Sequence, residues 1–181
     1  MGESMRVALV IVAVVIPVAV IVLLQRGKRQ SGEFKSTDEF IQYMAAEAVA
    51  DAKKENHVCL DYSVDSIQEV ERILSQLHDQ YVRNPNSVSA KILGSAYGAY
   101  IGEAIRRNEP NVRWERGDAF AGEKSYPLIW APGHSYPMAW CYHRILNGPG
   151  DNVWIKYWAL KKKGSSKLSE AFPDALTVKR K

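Results

Sequence analysis

The spacing of apolar positions predicts five helices, with a small antiparallel sheet between the third and fourth and an uninterrupted apolar run ahead of them all. Thr37 can cap a first helix running to about Glu55, with Asp38 and Glu39 in its first turn and Lys53 and Lys54 in its last, complementing a helix dipole. Phe40, Tyr43, Met44 and Val49 supply its apolar surface, and Ala fills the rest. Val58-Cys59-Leu60 follows as a short apolar connection or minor strand. In the second helix Asp65-Ser66 is the expected cap and Ser66-x-x-Glu69 a capping box. Ile67, Val70, Leu74, Leu77 and Tyr81 then repeat at three and four, the clearest amphipathic pattern in the chain, until Asn84-Pro85-Asn86 ends it.

The third helix, Asn86 to Arg107, is the one the others are expected to pack around. Gly94, Gly98 and Gly102 form one row along it, beside Ile101 and Ile105. An interior glycine costs a helix about 1 kcal/mol relative to Ala. Three of them predict another element packed closely into a groove without side chains. Glu103 interrupts a stripe of Ile92, Ala96 and Ala99, which makes it the best single candidate for a functional carboxylate.

Beyond Arg107 the pattern changes. Val112 and Trp114 alternate with charged residues, turn residues fill Gly117 to Ser125, Tyr126 to Ala131 is a second apolar run, and His134 to Tyr136 fits a third strand. Pro137 suits the first turn of a fourth helix, stopped by Asn147-Gly148-Pro149-Gly150. Val153, Ile155 and Tyr157 alternate as a strand would, but a cap at Asp151 or Asn152 and the closing Lys161 to Lys163 favour a fifth helix. The expected fold class is α+β. Residues 1–29 are a transmembrane anchor with a basic flank and residues 30–36 a linker; residues 37–163 form a mainly helical domain with a hairpin or three-stranded antiparallel sheet, and residues 164–181 a flexible basic tail.

From Val7 to Leu24 eighteen residues carry no charge, just enough to cross the hydrocarbon layer and contact membrane lipid. A cleaved signal would end in a small-x-small site, whereas this run ends Leu23-Leu24-Gln25-Arg26. Arg26, Lys28 and Arg29 outweigh Arg6 and place the domain in the cytoplasm by the positive-inside rule. Arg6 and the terminal amine are also what an exported signal anchor carries, so a periplasmic domain stays open. The formal charge of +4 is concentrated at the two ends: from Ser31 to Lys163 sixteen Lys and Arg meet seventeen Asp and Glu. A nucleic-acid footprint would place a basic stripe on the folded domain, so no nucleic-acid partner is expected. Basic ends suit a membrane surface or plain solubility.

Candidate chemistry is sparse. Cys141 and His143, two apart on a helix, point in different directions, and His134 with them leaves a metal site without a fourth ligand. Gly94 to Gly98 lies inside a helix and lacks the Lys-Ser/Thr of a phosphate loop. No catalytic set, metal or cofactor is therefore expected. Glu103 with Arg106 or Arg107 reads as a structural ion pair ahead of a catalytic one. Cys59 and Cys141 fit two thiols in this length of chain, or a disulfide in an exported domain. Trp114, Trp130, Trp140, Trp154 and Trp158 crowd the C-terminal half, suiting a core and also a partner-binding face. Glu103, Trp114, Trp130 and Trp140 are the candidate binding residues.

Leu60-Asp61-Tyr62-Ser63 before a helix, Gly98-Ala99-Tyr100-Ile101-Gly102-Glu103 with Arg106, Trp114, and His143-Arg144-Ile145-Leu146-Asn147-Gly148 resemble, in that order, a family of small uncharacterised bacterial domains of unknown function. The resemblance spans about residues 60–160. It implies a compact α+β domain, brings no known activity, and puts Glu103 and Trp114 at pattern positions. The expected function is a membrane-anchored, non-enzymatic protein-binding or accessory module at the bacterial inner membrane, with an unidentified protein partner. An immunity-type inhibitor of a secreted toxin or an accessory factor of an envelope complex would be specific forms. The alternative is a hydrolase or other enzyme using Glu103 with a histidine. An enzyme needs Glu103 in a concavity with a second titratable group; a binding module needs exposed aromatic rings.

Overall fold

A computed structural model describes residues 34–130 and 133–171, and the stretch Val7 to Leu24 lies outside them. Among the described residues no helix is long and apolar enough to cross a membrane. They form five helices and a three-stranded antiparallel sheet, an α+β domain that is mainly helical. Helix α1 is Thr37–Asn56, α2 Val64–Arg83, α3 Ala90–Asn108, α4 Pro137–Asn147 and α5 Val153–Ala171. Strands β1 (Arg113–Trp114), β2 (Leu128–Trp130) and β3 (Gly133–Ser135) form a meander between α3 and α4, with Trp114 opposite Leu128 and Ile129 opposite His134.

The glycine row does what its spacing predicts. Gly94 lies against the backbone of Tyr142 and Gly98 against Met138, so α4 runs antiparallel along the groove of α3. Gly102 faces the indole of Trp114 instead. On its other side α3 meets α1, also antiparallel: Tyr97 donates its hydroxyl to Asp51 at 2.6 Å, while Arg106 near the far end of α3 is close enough to Asp38 to feel its charge. The buried stripe of α1 is Ile41, Ala45, Ala48 and Ala52. Phe40, Met44 and Val49, expected to lead, only flank it. Small residues hold the central positions, which lets the two antiparallel helices approach closely.

Caps account for the other differences. Ser36 rather than Thr37 caps α1, accepting from the Glu39 amide at 3.1 Å. Helix α2 starts earlier than Asp65-Ser66 would place it: Ser63 accepts from the Ser66 amide at 3.2 Å, and Asp61 accepts from the Ser63 amide at 2.9 Å, fixing the turn. Ser66 is already engaged, donating to the Ser63 carbonyl and meeting the Tyr100 hydroxyl at 2.6 Å. Glu69 pairs with Arg72 and closes no capping box. Helix α3 begins at Ala90, since Pro85–Ser87 form a separate 3-10 turn. Asn152 caps α5 by accepting from the Ile155 amide at 2.9 Å. That helix runs past Lys163 to Ala171; Gly164 costs it about 1 kcal/mol, and no proline interrupts it before Pro173.

Candidate functional site

Glu103 points inward from α3 and is 2% exposed. Arg106, one turn on, closes a fork around it, donating from Nε to Oε1 at 2.8 Å and from Nη2 to Oε2 at 2.9 Å. Trp114 of β1 donates its indole N–H to Oε1 at 3.0 Å, and Arg107 Nε stands 3.8 Å from Oε2. Gly102 makes the indole contact possible: a Cβ there would lie 2.0 Å from the Trp114 ring. Burial alone would raise the Glu103 pKa. The hydrogen bonds from Arg106 and Trp114, with both guanidinium charges, outweigh burial and hold the carboxyl below its usual range. A carboxylate so fully committed to donors is a poor proton acceptor; its geometry is that of a joint between α3 and β1.

The joint extends through Arg107. Its guanidinium lies 3.6 Å over the Tyr62 ring, which stacks on Tyr100 with centroids 4.6 Å apart. The Tyr62 amide donates to the Tyr100 hydroxyl at 2.7 Å. Tyr62 has φ of 62°, a left-handed conformation unusual for a tyrosine, and Asn108 secures it by donating to the Tyr62 carbonyl at 2.8 Å. Three separated stretches, Tyr62-Ser63, Tyr100 to Asn108 and Trp114, thus converge on one network.

Replacing Glu103 with Gln is expected to destabilise the fold by about 2 kcal/mol at neutral pH. Because folding depresses this carboxyl's pKa, its contribution is present above the unfolded value of about 4.3 and is lost as pH falls through the folded value. The urea midpoints of wild type and variant should therefore converge in acid. A gap of the same size at pH 7 and pH 3 would rule out this electrostatic account.

The other candidates separate. Trp114 is buried on Gly102, and Trp130 is buried and stacked on Tyr157 at 5.9 Å; Trp140 is half-buried against the core. Among the described residues the large apolar side chains open to solvent are Val82, Phe120, Tyr142, Ile155 and Trp158. No histidine joins Glu103. His134 Nδ1 is 3.2 Å from Asp118, His78 Nδ1 is 2.9 Å from the Ile145 carbonyl, His143 lies beside Tyr142, and His57 ends α1 with φ of 56°. Among the described residues no three His, Cys, Asp or Glu converge as metal ligands would. An open depression of about 450 Å³ is lined by His78, Asp79, Val82 and Arg83 and includes none of Glu103's partners.

Both cysteines are free thiols. Cys141 is fully buried, which pushes its pKa up and leaves it no nucleophilic role; Cys59 is exposed. One equivalent of a thiol reagent should react with the native protein, at Cys59. Cys141 should follow only on unfolding, and fast modification of both would contradict this packing.

The loop between β1 and β2 is more ordered than its turn residues suggest. Asp118 Oδ1 accepts from the Phe120 amide at 2.9 Å and from the Ala121 amide, while Oδ2 accepts from the Tyr136 hydroxyl and meets His134. The Ala121 amide and the Tyr136 hydroxyl lead in holding this carboxyl down, to about 2. Gly117 and Gly122, with φ of 72° and 87°, let the chain turn around it. At the tip Phe120 is 92% exposed. Sequence reasoning passed over this residue, although an Asp set to bond backbone two and three residues on, with a lone Phe between two glycines, is the available signal. No protein-family model, curated protein or solved structure matches the chain, and the resemblance to small uncharacterised bacterial domains rests on the order of its motifs alone.

Proposed function

We propose that the protein is a membrane-anchored, non-enzymatic module that docks a protein partner through the Asp118-braced loop. Val7 to Leu24 is the single-pass anchor in the inner membrane, and Arg26, Lys28 and Arg29 assign the domain to the cytoplasmic side. The observation that carries the reading is Phe120, a phenyl ring held in water on a loop fixed by four hydrogen bonds to one carboxylate. An ordered loop avoids much of the conformational entropy that binding otherwise costs, and an aromatic anchor at its tip is the kind of residue that dominates interfaces. Glu103 argues the same way, since its acceptor capacity is taken up inside the fold.

A photo-reactive phenylalanine analogue at position 120 should give a discrete higher-mass adduct in cells, and the same analogue at exposed Val82 should not. Phe120→Ala should weaken partner binding at least about tenfold. Asp118→Ala should reduce the adduct by releasing the loop while Phe120 is kept. Absence of an adduct at position 120, with the protein folded and in the membrane, would overturn this docking surface.

A further inference from the structure

We propose that the outward face of α5 is a second contact surface, one that lays the domain on anionic lipid headgroups. The inference rests on the tethered reading above and supplies a reversible partner to the anchor. Along α5 Val153 and Tyr157 are buried, whereas Ile155 is 65% and Trp158 45% exposed, with Lys162 exposed one turn further on the same stripe. From Val153 to Lys162 the helix carries Lys156, Lys161 and Lys162 and no acidic residue. Lys156 bonds to Asp151 in the turn just before the helix, and Lys161 pairs with Glu109 at 2.8 Å, which ties the helix to the end of α3. Lys162 presents its charge outward. Trp158 packs edge-on to Trp154 at 5.6 Å and Tyr157 at 5.4 Å, which fixes the indole while part of it stays in water.

Composition chooses between occupants. Protein interfaces favour Trp but are depleted in Lys, whereas a half-exposed Trp and an exposed Ile beside an exposed Lys, on a helix with no acidic residue from Val153 to Lys162, suit a bilayer interface. Position agrees. Glu109, at the end of α3, accepts from the Tyr157 hydroxyl at 3.2 Å, and Arg106 one turn earlier feels Asp38 in the first turn of α1. The stripe therefore lies at the end of the domain where the chain enters α1. Residues 25–36, between the apolar run and that helix, reach at most about 40 Å when fully extended, which keeps the domain at high local concentration near a bilayer.

All five tryptophans lie beyond residue 113, so bromine-labelled lipid quenches only domain fluorescence. The test uses the full chain in vesicles of brominated phosphatidylcholine with and without phosphatidylglycerol. Phosphatidylglycerol should increase quenching, and Trp158→Phe or Lys162→Glu should lower that increment about twofold or more, as should high salt. Extraction with alkaline carbonate reads the anchor separately. Trp158-dependent quenching supports the α5 surface whether or not the chain resists extraction. A chain that resists extraction but shows no such quenching overturns the surface and leaves the anchor standing. A chain that is extracted and unquenched loses both. Unquenched Trp158 with disulfide cross-linking of Ile155→Cys between copies would assign the face to self-association and overturn the lipid proposal.

Discussion

Gly98→Ala is expected to destabilise the domain by about 2 kcal/mol, against the gain of about 1 kcal/mol that Ala ordinarily brings to a helix interior. The sign is set by what the new methyl group would meet. Its carbon would lie 2.2 Å from Met138 Cα and 2.4 Å from Met138 N, in the first turn of α4. Backbone atoms in a helix cannot swing aside singly, so α4 as a whole must move away from α3. Gly94→Ala meets Tyr142 backbone at 2.8 Å and should cost less. The measurement is the urea midpoint of each variant at unchanged m-value. If Gly98→Ala raised the midpoint, the close approach of α3 and α4 would be disproved.

The second large effect is expected at Glu71. Its Oε1 accepts from Arg144 Nε at 2.7 Å and its Oε2 from the Val153 amide at 2.8 Å, so one carboxylate ties α2 to α4 and to the first turn of α5. Arg144 is 3% exposed, and its Nη1 makes no hydrogen bond in the described structure. Glu71→Ala would leave that cation buried without a counter-charge, at a cost of about 4 kcal/mol. The double change Glu71→Leu with Arg144→Met removes both charges and should recover most of the loss, because a well-packed apolar pair costs no ion desolvation. The exposed Glu69–Arg72 pair two residues away provides the scale: breaking it should cost about 0–1 kcal/mol. A cost for Glu71→Ala inside that range would show that Arg144 is solvated after all.

Patterns that depend on spacing alone were legible in the sequence. The row at Gly94, Gly98 and Gly102 predicts another element packed closely on a bare groove, because a glycine triplet has few other reasons to persist inside a helix; α4 supplies that contact at Gly94 and Gly98, and the Trp114 indole of β1 supplies it at Gly102. The order of helices and the three-stranded sheet follow from periodicity in the same way. Starting points were harder, since several adjacent Ser, Thr and Asp residues compete for each cap; at α2 the decision lies with Asp61, outside the helix. Burial of individual tryptophans was not legible. Trp114 and Trp158 are alike in sequence texture, yet one covers Gly102 and the other faces water, and only the tertiary arrangement separates them. Glu103 stood out correctly as an anomalous charge on an apolar stripe. The cause of the anomaly, an arginine fork and an indole from a strand eleven residues on, lies in the tertiary arrangement.

The fit of Trp114 over Gly102 also bears on how such a sequence can drift. Any side chain at position 102 evicts the indole and with it a donor to Glu103, while a smaller residue at position 114 leaves a void over the bare helix. In homologues that share this packing the two positions should covary: bulk at 102 should accompany loss of the indole at 114, and Glu103 should become replaceable only in those backgrounds.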